Sequence, residues 1–201
     1  SLPTFNYGNP DIHPERMRSV EATWEQPVGN GRFTATAYLF RIQGLIAPDA
    51  TGTIDNSAPV DGRGLEIEFE QRWAERFGLR TGYTLQQPHG AQGRPDNAPR
   101  HMVKANLSAD LGAGFHAGLE AQYVSRRLAA AGTQAVGTTT VANLNLRYRP
   151  PGRDWEWSLG LYNLFDRRYS DPSASDTTIA GPRWSIPQLG RTTLVKGTVA
   201  F

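Results

Sequence analysis

The chain contains no cysteine, which excludes a disulfide scaffold, a zinc–thiolate site and a cysteine nucleophile. That lack also suits an oxidising cell-envelope compartment, where stray thiols are a liability. Long hydrophobic runs are missing too. Apolar residues make up 38% of the 201 residues and the mean hydropathy is −0.50. No stretch therefore approaches the roughly 20 apolar residues of a membrane helix. A transmembrane β-barrel stays open, because a polar lumen dilutes the hydropathy of such a chain. Nor is there an excess of one charge. Lys+Arg 21 against Asp+Glu 19 leaves +2, and no basic cluster is interleaved with aromatics, which argues against a nucleic-acid binder. No secretory leader is recognisable at the N-terminus, as expected of a mature form or of a piece of something longer.

What the chain does have is one repeated unit: apolar and polar residues alternating over about ten positions, with turn signals between. Val103, Ala105, Leu107, Ala109 and Leu111 alternate with Lys104, Asn106, Ser108 and Asp110. After Gly112-Ala113-Gly114, Phe115, Ala117, Leu119, Ala121 and Tyr123 alternate with His116, Gly118, Glu120 and Gln122. The pattern returns around Leu65–Glu70, 77–86, 142–149 and 155–161. Strands are expected near 16–27, 32–46, 60–73, 77–87, 99–111, 114–127, 139–149, 154–166 and 188–201, about nine in all. Short turns fall at 28–31, 74–76, 112–114 and 150–153, and long polar loops at 47–59, 88–98, 128–137 and 167–187. Outer-membrane barrels alternate short periplasmic turns with longer extracellular loops in this way.

Alternation alone fits a soluble sandwich or lipocalin-like barrel equally well, with inside and outside exchanged. Three features favour the membrane. The polar faces carry charge in nearly every strand, while the apolar faces are rich in Ala, Gly and Thr. Aromatics (Trp24, Trp73, Phe77, Phe115, Tyr123, Tyr148, Trp155, Trp157, Phe201) gather near strand ends, as an interfacial girdle requires. The strands also exceed the usual 5–6 residues of a globular sheet. The final strand carries Thr193, Val195, Gly197, Val199 and Phe201 on one face, so the chain stops on an outward aromatic. A closing barrel strand would end so. The expected fold is all-β: an antiparallel up-and-down transmembrane β-barrel segment.

Several segments, in order, resemble TonB-dependent outer-membrane receptors. Asn9-Pro10-Asp11-Ile12-His13-Pro14-Glu15 with Ser19-Val20-Glu21 resembles their NPDLxPE…S.E segment. Leu39–Ile46 is similar to their FY..I.DLI strand, and Asn56 with Gly64-Leu65-Glu66-Ile67-Glu68 to the N…G.E.E continuation. Tyr162-Asn163-Leu164-Phe165-Asp166-Arg167-Arg168-Tyr169 resembles the NLFD..Y signature, and 186–191 leading to Phe201 the closing strand. The resemblance implies a plug domain and a barrel of about 22 strands. Against that pattern the chain is expected to be the C-terminal part of one barrel, 1–201 a single unit, with the plug and first strands absent.

The function implied is capture and active import of a scarce nutrient, most often a ferric siderophore. The implied partners are outer-membrane lipid and lipopolysaccharide, the TonB–ExbB–ExbD system through the plug, and the barrel assembly machinery. That machinery would read the terminal signal at Val195, Val199 and Phe201. A passive porin-like or structural barrel, or a soluble β-sandwich binding module, remains the alternative. No enzyme, cofactor or metal site is expected. His13, His89, His101 and His116 are scattered without ligand spacing, and no catalytic constellation stands out. Arg126, Arg127, Arg167 and Arg168, with Tyr169 and Trp184 as stacking surfaces, are the loop residues suited to an anionic ligand. The double arginines suit lipopolysaccharide phosphates equally well. Asn163, Asp166, Pro187, Gly64 and Gly190 are expected to shape turns, strand starts and close approaches. Glu66, Glu68 and Glu70 offer a cation site or a solvated wall paired with arginines such as Arg80.

Overall fold

A computed structural model describes residues 9–48, 54–91, 93–129, 132–176 and 183–199. Strands β1 (Arg16–Val28) and β2 (Gly31–Gln43) form the first hairpin, and the short pair β3 (Ile46–Pro48) and β4 (Ile54–Asn56) caps the loop after it. Next come β5 (Val60–Trp73), β6 (Phe77–His89), β7 (His101–Gly112) and β8 (Phe115–Val124). A second short pair, β9 (Arg127–Ala129) and β10 (Gln134–Val136), leads to β11 (Thr139–Tyr148) and β12 (Trp155–Tyr162). A third, β13 (Ser170–Asp176) and β14 (Arg183–Pro187), precedes β15 (Thr192–Val199). Among the described residues there is no helix, and the nine long strands form one antiparallel sheet in chain order.

The register converts the alternation into rows that cross the whole sheet. Leu79, Leu107, Leu119, Leu144 and Leu161 stand opposite one another on five successive strands. One step away, on the other face, Arg32, Glu70, Arg80, Asn106, Glu120 and Asn143 form a polar row. Hollows open on the polar side; one of about 220 Å³ is lined by Lys104, Asn106, Glu120, Gln122 and Asn143. An antiparallel sheet in chain order with a hollow on its polar face suits a barrel wall better than half of a sandwich, whose inner face would be apolar.

The apolar face has no cover. Val20, Leu39 and Val195 keep 72%, 59% and 70% of their surface exposed. A continuous apolar face of that extent requires lipid or a partner. Outward residues Phe77 to Leu85, Val103 to Leu111 and Phe115 to Tyr123 run apolar or weakly polar over nine positions. That is about 27 Å of strand, or about 20 Å of height at a 40° tilt, close to a barrel's apolar band. At the short-turn rim the aromatics cluster. Trp24 meets Phe33 edge-on at 5.5 Å, Phe115 stacks on Tyr148 at 4.2 Å, and Trp155 adds a T-shaped contact at 5.8 Å.

Some expectations change. The long loops are not plain polar connections, since three of them carry the short hairpins. Gly44, at φ +65°, breaks the second strand before Ile46, where one continuous strand to 46 was expected. Arg127 leaves β8 and starts β9. Pro187 does not begin the last strand: it ends β14 opposite Ser170, a position where its missing N–H is harmless, and β15 starts at Thr192. Of the close backbone approach or bulge open to Gly64, the close approach is what the register leaves, to the Leu85 carbonyl as well as to a ring. A Cβ there would lie 2.3 Å from the Tyr38 ring, and one on Gly62 2.3 Å from Phe40. Glu70 pairs with Arg80 at 3.3 Å, in keeping with the solvated-wall reading. Phe201 lies outside the described residues.

Candidate functional site

The long-loop rim is organised by a few polar side chains that fasten irregular backbone. Asn163 is the best buried of them, at 4% exposure and φ +50°. Its Oδ1 accepts from Arg167 N at 2.9 Å, while its Nδ2 donates to Arg167 O at 2.9 Å and Leu189 O at 3.2 Å. Asp166, also at positive φ, accepts from Arg191 N at 2.8 Å, and a Cβ on Gly190 would sit 2.7 Å from that same Oδ1. Asn tolerates the left-handed region and caps its own turn, which explains the residue types. The signature therefore closes the loop between β12 and β15. A matching tie holds the first loop. Asn56 accepts from His13 N at 2.8 Å and donates to Gly44 O at 2.7 Å, and Glu15 accepts from Ile46 N at 2.6 Å.

Beneath these loops, on the polar side of the sheet, is a cavity of about 530 Å³. Arg127, Thr139, Tyr169, Asp171, Asn163 and Gln122 contribute polar groups to it, and Val124, Val141 and Leu189 apolar ones. Arg127 is 8% exposed. It donates to Asp171 Oδ1 at 2.7 Å, Ser170 O at 3.3 Å and Asn97 Oδ1 at 3.3 Å, so it joins three loops. Its Nε and the Thr139 Oγ1 are buried without a partner in the protein. Two such groups at one cavity suit an oxygen-rich guest, because an unmet buried donor is costly. The set holds charge and hydrogen-bonding groups but no nucleophile paired with a base.

Of the residues picked from sequence, Arg127 and Tyr169 meet at this cavity. Arg126 points away from it and lines a separate hollow with Arg94 and Arg100. Arg167 and Arg168 are exposed at the start of the last loop, where Arg167 is held by its backbone. Trp184, 38% exposed, sits on β14 and does not line that cavity. Val195 and Val199 occupy the outward row of β15 opposite Leu159 and Trp155. Sequence reasoning missed Asp171, Thr139, Arg94 and Arg100. Asp171 carried a usable signal, an acid within a basic loop; the others carried none.

Comparison with known proteins follows this geometry. The model of the TonB dependent receptor-like β-barrel family matches residues 1–164. No curated protein sequence matches the chain. Among solved structures, the ferric yersiniabactin uptake receptor FyuA from Yersinia pestis superposes with a TM-score of 0.80 at 17% identity, covering 93% of this chain and 30% of that one. The ferric-catecholate import receptor Fiu from E. coli K12 gives 0.73 at 21% identity, covering 95% and 28%. The copper transporter OprC gives 0.75 at 17%, covering 94% and 32%. The chain thus spans about a third of the length of the structures it resembles.

Proposed function

Because the chain belongs to the TonB-dependent receptor β-barrel family, we propose that it is part of the barrel of an outer-membrane receptor that binds a ferric siderophore and imports it. The observation that carries this reading is the nine-stranded wall with an uncovered apolar face outside and charged rows inside. In this reading the short turns are periplasmic and the hairpin-bearing loops extracellular. Strands β1 and β15 both run from the long-loop rim to the short-turn rim. Antiparallel closure between those two edges takes an odd number of further strands. A barrel of about 22 strands supplies about thirteen.

The parent protein would be a Gram-negative outer-membrane transporter whose plug, not included in residues 1–201, couples to TonB–ExbB–ExbD. Its barrel assembly machinery would read Val195, Val199 and Phe201. The cavity at Arg127 and Tyr169 would form the barrel side of the ligand chamber, with loop residues Arg167, Arg168 and Trp184 reaching it as the loops close. Siderophore receptors among the solved neighbours support that cargo, and the copper transporter shows that the same wall serves another. The test is uptake of iron-labelled siderophores by iron-limited cells with and without the gene. Uptake that needs the gene and stops with a proton uncoupler is the expected result. Gene-dependent flux that survives the uncoupler would mean a passive porin-like barrel. Gene-dependent uptake of copper, cobalamin or oligosaccharide without iron would overturn the siderophore assignment alone.

A further inference from the structure

We propose that the cavity beneath the long loops receives an uncharged, oxygen-rich cargo: a ferric tris-hydroxamate complex in preference to a ferric tris-catecholate one. Three singly charged hydroxamates neutralise the iron, whereas three doubly charged catecholates leave a trianion. This names the class of cargo for the site described above and rests on the transport reading. Sequence alone places Arg127 among the residues suited to an anion; its geometry removes it from that role.

The buried Arg127 guanidinium is already committed. Its Nη2 donates to Asp171 Oδ1 at 2.7 Å and to Ser170 O at 3.3 Å, and its Nη1 to Asn97 Oδ1 at 3.3 Å. A guanidinium grips an oxyanion through two neighbouring N–H groups, either Nη1 with Nη2 or Nη2 with Nε. Both pairs need Nη2, whose two hydrogens are taken. An anionic guest would have to evict Asp171, and the evicted carboxylate would then stand beside the new negative charge.

The rest of the lining supplies no compensating charge. Arg127 and Asp171 are the charged residues among those that line the cavity, so its net charge is zero. The adjoining hollow on the inner face adds Lys104 and Glu120, which also cancel, and Glu120 accepts from Asn143 Nδ2 at 3.4 Å where the two hollows meet. Arg167 and Arg168 are exposed and do not line the cavity. What the walls offer is neutral: the amides of Gln122 and Gln188 and the hydroxyls of Tyr162 and Tyr169. Thr139, 7% exposed, has its Oγ1 buried without a partner, as is Arg127 Nε. Each is a single group that one carbonyl or hydroxyl oxygen satisfies. A charge brought here loses its water and gains no counter-ion, while a neutral oxygen surface exchanges water for these groups.

The test uses the whole receptor that contains this chain, purified from outer membranes, with binding of the two iron-labelled complexes measured by equilibrium dialysis. The tris-hydroxamate complex should bind about tenfold tighter than the tris-catecholate complex, and its affinity should not change between about 0.05 M and about 0.5 M salt, because screening acts on charge. Asp171→Asn keeps an oxygen for Arg127 Nη2 and removes the negative charge. In that variant the two affinities should come within about threefold, with salt dependence for the catecholate complex alone. Heat-modifiable gel migration confirms folding of the variant, and the comparison in the parent stands without it. A tris-catecholate complex bound by the parent as tightly as the neutral one overturns the proposal, as does a preference that Asp171→Asn leaves unmoved. Either result leaves the siderophore reading in place, since an iron complex is still bound. Binding of a neutral oligosaccharide with neither iron complex would overturn the siderophore reading and support the uncharged cargo.

Discussion

Placing arginine at position 144 should cost far more stability than placing it at 145. Leu144 is the third of five outward residues on β11, between Tyr148 at the short-turn rim and Thr140 near the other. Four residues of strand separate it from Tyr148, about 13 Å of chain and about 10 Å of height at a 40° tilt. That is near the middle of an apolar band about 25 Å tall. Its cross-strand neighbours are Leu119 and Leu161, which offer no polar partner. Arginine at the midplane costs about 2–4 kcal/mol, or about thirty- to seven-hundredfold in the folding equilibrium. Asn145 faces the polar side between Gly118 and Gly160, where the lack of side chains leaves room for a guanidinium in water. Asn145→Arg should stay within about 0.5 kcal/mol of the parent. Urea unfolding of the full chain in phospholipid vesicles, followed by tryptophan fluorescence, measures both. Equal costs at the two positions, or a larger cost at 145, would refute the assigned facing.

Asn163→Ala should cost about 2–3 kcal/mol by stranding Leu189 O and the Arg167 backbone. Asn163→Asp, which keeps the acceptor for Arg167 N, should recover part of that in the same unfolding assay. Arg127→Met should cost about 2 kcal/mol, discounted because Asp171 is half exposed, and should speed proteolysis of the long loops joined by Arg127 while the sheet stays intact. Gly64→Ala should cost about 1–3 kcal/mol by displacing the Tyr38 ring. Adding Tyr38→Ala to Gly64→Ala should cost less than the sum of the two, a coupling that a double-mutant cycle detects.

The wall was legible in the sequence because one face of the sheet is apolar and the other polar, which forces period-two patterning, unbroken over nine residues in β6, β7 and β8. Val103–Leu111 and Phe115–Tyr123 each announce a strand unaided. The short turns were equally plain, since Gly112-Ala113-Gly114 and Pro150-Pro151-Gly152 permit little else. The loop hairpins were not legible: β3, β4, β9 and β10 are three residues each, too short for any periodicity to register. The candidate site was half visible. The loop arginines mark a basic rim, but Arg126 and Arg127 are adjacent in sequence and lead opposite lives, one exposed in the hollow and one buried on Asp171. Only the three-dimensional meeting of the 88–98, 127–136 and 170–187 segments decides which arginine is which. Asn97 and Ser170, tens of residues away, complete the Arg127 site.

The absence of native cysteine makes one experiment unusually clean. Single cysteines placed in turn at positions 115–123 of β8, spin-labelled in the full chain in lipid vesicles, report exposure to a lipid-soluble relaxant and to a water-soluble one. Labels at Phe115, Ala117, Leu119, Ala121 and Tyr123 should sense the lipid-soluble agent, and those at His116, Gly118, Glu120 and Gln122 the aqueous agent, in strict alternation. Uniform access to the aqueous agent along the strand, or alternation of the opposite phase, would contradict a lipid-facing barrel wall.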